Sequence, residues 1–118
     1  IVVQQGGDLT IDHSEIGGAQ GSYEHCDMHI GSAQSVTVTN SNIVSGVFGL
    51  MIGGTTNAVM QYNNWEGNDA GQDIAEVGVN SNVDLRYNYW DQGAPAMGAA
   101  YDVSAAADAR LTEAGPRI

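Results

Sequence analysis

The chain has 118 residues, enough for one domain with one continuous core and too few for two ordinary ones. It holds 16 glycines, no lysine and three arginines against 14 carboxylates, for a formal charge of −11. Nucleic acid and anionic membrane surfaces are recognised through Lys and Arg that neutralise phosphate, so this composition argues against both as partners.

The charged fraction of 14% lies below the roughly 25% of an average soluble domain, yet hydrophobic residues reach 42%, so a folded core is expected. The longest apolar run, Val47 to Ile52, is far short of the roughly 20 residues that cross a bilayer, and no membrane insertion is expected. Cys26 is the single cysteine, which excludes an intrachain disulfide and a Cys-based metal knuckle. A Gly-, Asn- and Asp-rich, lysine-free, acidic composition points to an extracellular or cell-surface location.

In chain order, short alternating segments recur in pairs. The first pair is Val3 followed by Leu9 to Ile16, and the second is Cys26 to Ile30 followed by Val36 to Ile43. Phe48 to Ile52 with Ala58 to Trp65, and Asp73 to Val77 with Val83 to Trp90, make the third and fourth. The second members begin at 9, 36, 58 and 83, a period of 22 to 27 residues, which is the signature of a solenoid. Period-2 alternation such as Leu9, Ile11 against Thr10, Asp12 makes each segment a half-buried strand.

A leucine-rich repeat has a similar period. It would need a further apolar residue three positions before each unit, where Gly6, Ala33, Thr55 and Asn80 stand, and a helix between units that no segment supplies. A parallel β-helix stacks like on like. The columns Leu9/Val36/Ala58/Val83, Ile11/Val38/Met60/Leu85 and Met28/Leu50/Ala75 satisfy that requirement. Ser14/Ser41/Asn63/Asn88 form a polar turn column whose side chains can satisfy turn backbone from coil to coil. The predicted fold is therefore all-β: a right-handed single-stranded parallel β-helix of about four coils, over residues 1–92.

Residues 93–118 leave the pattern. Asp91 to Gly98 reads as a loop, and Val103, Ala107, Leu111 and Ala114 fall on one helical face. A short C-terminal α-helical cap over the last coil is expected, the alternative being a frayed tail.

Asn63-Asn-Trp65 and Asn88-Tyr-Trp90 carry a resemblance. With them, residues 1 to 92 resemble the right-handed β-helix superfamily typified by pectate lyases, as a non-lyase secreted or surface member; that superfamily also includes hydrolases, epimerases, adhesins and phage fibres. Its lyases hold Ca²⁺ on acidic residues and use an Arg as base on one outer sheet face. The matching strand Arg here is Arg86, with Asp84 beside it, but Gln61, Val59, Thr39 and Thr37 occupy the stacked outward positions, so no carboxylate cluster is expected over the Arg. No catalytic residue is assigned.

His25, Asp27 and His29 alternate with Cys26, Met28 and Ile30, so strand geometry places them together on an outward face, as candidate ligands for a transition metal or as a solvated polar strip. Tyr62, Tyr87, Trp65 and Trp90 raise a sugar-stacking hypothesis. The tryptophans follow the apolar plugs Ile16 and Ile43 and are expected in the core, whereas the tyrosines are candidates for a surface platform.

The expected function is a structural or binding module, adhesin-like and in contact with polysaccharide or another surface component. Ile1-Val-Val3 already lies inside a coil, so the N-terminal coil is expected to be open to further coils or to self-association end to end. The alternative is a fragment of a carbohydrate-active enzyme whose catalytic coils lie elsewhere.

Overall fold

A computed structural model describes residues 1–19, 26–55, 57–68 and 73–117. Each rung of the fold has three short strands, one per sheet. The first rung is β1 (Val2–Gln4), β2 (Asp8–Asp12) and β3 (Glu15–Gly17), and the second is β4 (Cys26–Gly31), β5 (Ser35–Thr39) and β6 (Asn42–Val44). The third is β7 (Phe48–Gly53), β8 (Ala58–Gln61) and β9 (Asn64–Glu66); the fourth is β10 (Ile74–Glu76), β11 (Val83–Asp84) and β12 (Tyr89–Trp90).

The strands pair in parallel with the rung above and below, giving the sheets β1-β4-β7-β10, β2-β5-β8-β11 and β3-β6-β9-β12. The chain is thus a parallel β-solenoid of about three turns. A last strand, β13 (Tyr101–Asp102), adds to the second sheet beyond β11.

The expected columns are largely in place. Leu9, Val36, Ala58 and Val83 share one register, as do Ile11, Val38 and Met60. Ile16, Ile43, Trp65 and Trp90 share another, and Trp65 and Trp90 stack inside the core at 5.0 Å and 17°. The fourth rung of the first sheet is shifted by one residue from expectation. Ile74, not Ala75, sits on Leu50, and Glu76 pairs with Ile52. A one-residue slip exchanges the two faces of a strand, and burying Ile74 in place of Ala75 covers more apolar surface.

The corner between the second and third sheets explains the Ser/Asn column. The residue before each of its members is left-handed, at φ 46° for His13, 52° for Asn40, 58° for Tyr62 and 65° for Tyr87. That conformation costs roughly 1–2 kcal/mol in a residue with a Cβ. It turns the next main-chain N–H toward the following rung, where a side chain receives it. Ser14 N–H donates to Ser41 Oγ (3.0 Å), Ser41 N–H to Asn63 Oδ1 (2.9 Å) and Asn63 N–H to Asn88 Oδ1 (2.9 Å). Thr55 N–H to Asn80 Oδ1 (3.0 Å) and Gly46 N–H to Asn68 Oδ1 (3.0 Å) repeat the device at the other two corners.

Residues 103–114 form no helix, which corrects the expected helical cap. Met97, Ala100 and Val103 pack against the core and Tyr101 is buried in it, beyond the fourth rung. The chain then runs back as a strap: Ala107 N–H donates to Asn88 O (2.9 Å), Leu111 N–H to Asn64 Oδ1 (2.8 Å) and Gly115 N–H to Asn40 O (2.8 Å). The four-residue spacing that reads as a helical face is here the step from one rung to the next. Asn64 Nδ2 also donates to Leu111 O (2.9 Å), so a side-chain amide pairs with the strap as a strand backbone would.

Candidate functional site

The outward face of the second sheet and the left-handed corner beside it carry two groups of hydrogen-bonded polar side chains, around Asp12 and around Asp84. Tyr62 and Tyr87 follow β8 and β11 at equivalent corner positions. Their left-handed backbone turns the rings out, and they stack at 5.2 Å with planes 10° apart. Tyr62 is 47% exposed, so this pair is an outer stack, in contrast to the buried Trp65 and Trp90.

At the first-rung end, Asp12 accepts from Asn40 Nδ2 (2.9 Å) and Thr39 Oγ1 (3.1 Å), and its Oδ2 lies 2.7 Å from His13 Nδ1. The Asn40 bond, followed by that of His13, holds the Asp12 carboxyl down at about 2. At the other end, Arg86 Nη2 donates to Asp84 Oδ2 (2.8 Å) and Arg86 Nε to Asp84 Oδ1 (3.0 Å), while Gln61 Nε2 donates to Asp84 Oδ2 (2.7 Å). The Arg86 bonds lower Asp84 to about 2, and Asp84 in turn raises Arg86 above its usual range.

One carboxylate near Arg86 was not foreseen. β13 pairs Asp102 with Asp84, and its Oδ2 lies 3.8 Å from Arg86 Nε. The sequence signal is weak, because Tyr101-Asp102 is an isolated two-residue match to Val83-Asp84. Ser104, donating from its hydroxyl and main chain, lowers the Asp102 carboxyl.

The proposed metal ligands are only partly described. His25 lies outside the described residues. Asp27 is buried, at 4% exposure, rather than presented on the outer face with half-buried His29. It accepts from Ala19 N–H (3.3 Å), and burial pushes its carboxyl up to about 6. Among the described residues its Oδ2 has no hydrogen-bond partner, and both Asp27 and His29 border a cavity of about 420 Å³ near Ile1 and Ile16. Among the described residues no three His, Cys, Asp or Glu side chains converge as a metal site.

Near the fourth rung, Tyr101 OH donates to Glu76 Oε2 and receives a bond from Asn80 Nδ2 (2.8 Å); burial, then the Glu76 bond, raises the phenol to about 12. This network fixes the segment beyond the fourth rung.

No protein-family model, curated protein or solved structure matches the chain.

Proposed function

We propose that the chain is a structural or binding module of a secreted or cell-surface protein, a non-lyase relative of the pectate-lyase-like right-handed β-helices. In this reading it contacts a polysaccharide or another surface component through the outer face of the second sheet and its tyrosine corner. The observation that supports it most is the outward Tyr62–Tyr87 stack standing beside a row of amides, hydroxyls and carboxylates. Aromatic faces bind the apolar faces of sugar rings, and fixed polar groups beside them read hydroxyls.

The electrostatics of this face favour binding over catalysis. A glycosidase needs one carboxyl raised enough to carry a proton. Asp12, Asp84 and Asp102 are instead all lowered, and the raised Asp27 and Asp73 are buried elsewhere. A lyase would need Arg86 as a base, and its bonds to Asp84 hold the proton on it more firmly. The Asp84–Arg86–Asp102 grouping is the one observation that favours the alternative, a fragment of a carbohydrate-active enzyme.

Association end to end belongs to the same proposal. Val3, Leu9, Ile11 and Ile16 of the first rung are only partly buried, whereas Ile30, Val36, Val38 and Ile43 stacked on them are sealed. An apolar cross-section bordered by strand edges is a template for another rung. Light scattering should show concentration-dependent growth that Val3→Glu abolishes; a chain that stays monomeric at all concentrations removes this part.

Affinity electrophoresis through gels containing neutral or acidic polysaccharides tests the main proposal, with product absorbance near the ultraviolet band of unsaturated uronides followed in parallel. Retardation without product is expected. Product from an acidic polysaccharide would install the enzyme reading, and unretarded migration in every gel would remove carbohydrate as the partner.

A further inference from the structure

The Tyr62 ring has two faces, and only one is covered. Tyr87, one rung on, stacks against it at 5.2 Å. The other face looks toward the second rung, where the column holds Asn40 instead of an aromatic residue. The Asn40 amide is directed the opposite way, donating to Asp12 Oδ1 in the first rung (2.9 Å). A cleft of about 310 Å³ results, bounded by Tyr62, Asn40 and strap residues 110–114.

The strap makes this a built cleft. Leu111 is tied to Asn64 through both its N–H and its C=O, Gly115 N–H is tied to Asn40 O, and Arg110 Nε donates to both Glu66 carboxylate oxygens at 2.9 Å. One wall is thus an aromatic face, the other a pinned backbone carrying Thr112 and Glu113. That combination suits a ring with an apolar face and an edge of hydroxyls.

Charge narrows the ligand further. The chain has no lysine, and each of its three arginines already faces a carboxylate: Arg86 with Asp84, Arg110 with Glu66, and Arg117 with Glu113 at 3.8 Å. The cleft itself carries one charge of each sign, Arg110 and Glu113, each already facing an opposite charge, so an anionic sugar would have to compete with Glu66 for Arg110. We propose that the face of Tyr62 turned toward Asn40, with strap residues 110–114, is a subsite for one neutral pyranose ring. This inference rests on the reading of the chain as a binding module and adds the place and the class of sugar.

Titration calorimetry of the 118-residue chain against neutral gluco-, galacto- and manno-oligosaccharides, beside oligogalacturonate, is the test. At least one neutral series should bind saturably. Tyr62→Ala should weaken it about tenfold, the loss expected when one aromatic contact is removed. Tyr62→Phe should keep it, and Ala114→Trp, which fills the cleft from the strap side, should abolish it while leaving the tyrosine stack intact. Neutral binding that survives both Tyr62→Ala and Ala114→Trp would overturn this subsite while leaving the binding module standing. Tighter binding of oligogalacturonate would overturn the charge argument, and heat from no carbohydrate would overturn the subsite together with carbohydrate as the partner of the module.

Discussion

Asn88 Oδ1 accepts the main-chain N–H of Asn63 at 2.9 Å, and the same Asn88 amide donates to Met60 O (2.7 Å) and Leu85 O (2.8 Å). Three main-chain groups of two successive rungs therefore depend on one fully buried side chain. The left-handed backbone of Tyr62 and Tyr87 is sustained by this bonding, so the ladder underlies the tyrosine corner as well as the stacking of rungs.

Replacing Asn88 by Leu leaves one N–H and two carbonyls buried without partners. At about 1–3 kcal/mol for each orphaned group, a loss of at least about 3 kcal/mol is expected in chemical unfolding. Asn88→Ser, shortened to the residue type found at Ser14 and Ser41, should lose less. A midpoint unchanged in Asn88→Leu would mean that the ladder contributes nothing to stability.

Gly115 sets how closely the strap lies on the solenoid. Its φ is +99°, and a Cβ there would fall 2.5 Å from Asn42 Nδ2. Gly115→Ala should therefore detach the strap end, with a local cost of roughly 1–3 kcal/mol for the forced backbone. Trypsin should then cut after Arg110 faster than in the parent chain. Equal cleavage rates would show that the Gly115 contact does not hold the strap.

The carboxylates make opposite contributions to pH dependence. Burial raises Asp27 from 3.8 to about 6, so between those values the folded chain holds a proton that the unfolded chain has released, and stability falls as pH rises through this window. Buried Asp73 acts in the same direction. Asp12 and Asp84, lowered to about 2, contribute stability above pH 4 that is lost as pH falls toward 2. Maximum stability is expected near pH 4, and Asp27→Asn should reduce the decline between pH 4 and 6. A decline of the same size in that variant would assign it to other groups.

A transition metal at His25, Asp27 and His29 would have to recruit a buried carboxylate whose Oδ1 already accepts from Ala19. Calorimetry with Zn²⁺ at pH 7 is accordingly expected to show no stoichiometric event that a His25→Ala/His29→Ala variant removes. A saturable event lost in that variant would establish the site.

The solenoid was legible because its cause is local and repeated. Alternation in Leu9 to Asp12, Val36 to Thr39 and Val83 to Arg86 fixes which residues face inward, and the 22- to 27-residue spacing fixes what they stack on. Asn68 and Asn80 were passed over, although the spacing that finds them, 22 and 25 residues after Gly46 and Thr55 as in the main column, was legible. The slip at Ile74 was not, because the corner from Glu76 to Val83 is one residue longer than that from Ile52 to Ala58 and turn length is weakly encoded. The strap was misread because a four-residue apolar period has two solutions: one helical turn, or one step along a stack of rungs. Of the candidate site, the tyrosines were visible as a column. The cleft was not, since it needs Leu111 and Asn64, 47 residues apart, to meet.

The most direct measurement is a map of backbone amide shifts in the ¹H–¹⁵N spectrum of the labelled chain as a neutral oligosaccharide is added. The largest changes are predicted at Asn40, Tyr62, Thr112 and Glu113, with the first sheet and the Asp27–His29 cavity silent. Changes centred on the first sheet or on that cavity, with the tyrosine corner unmoved, would contradict the account.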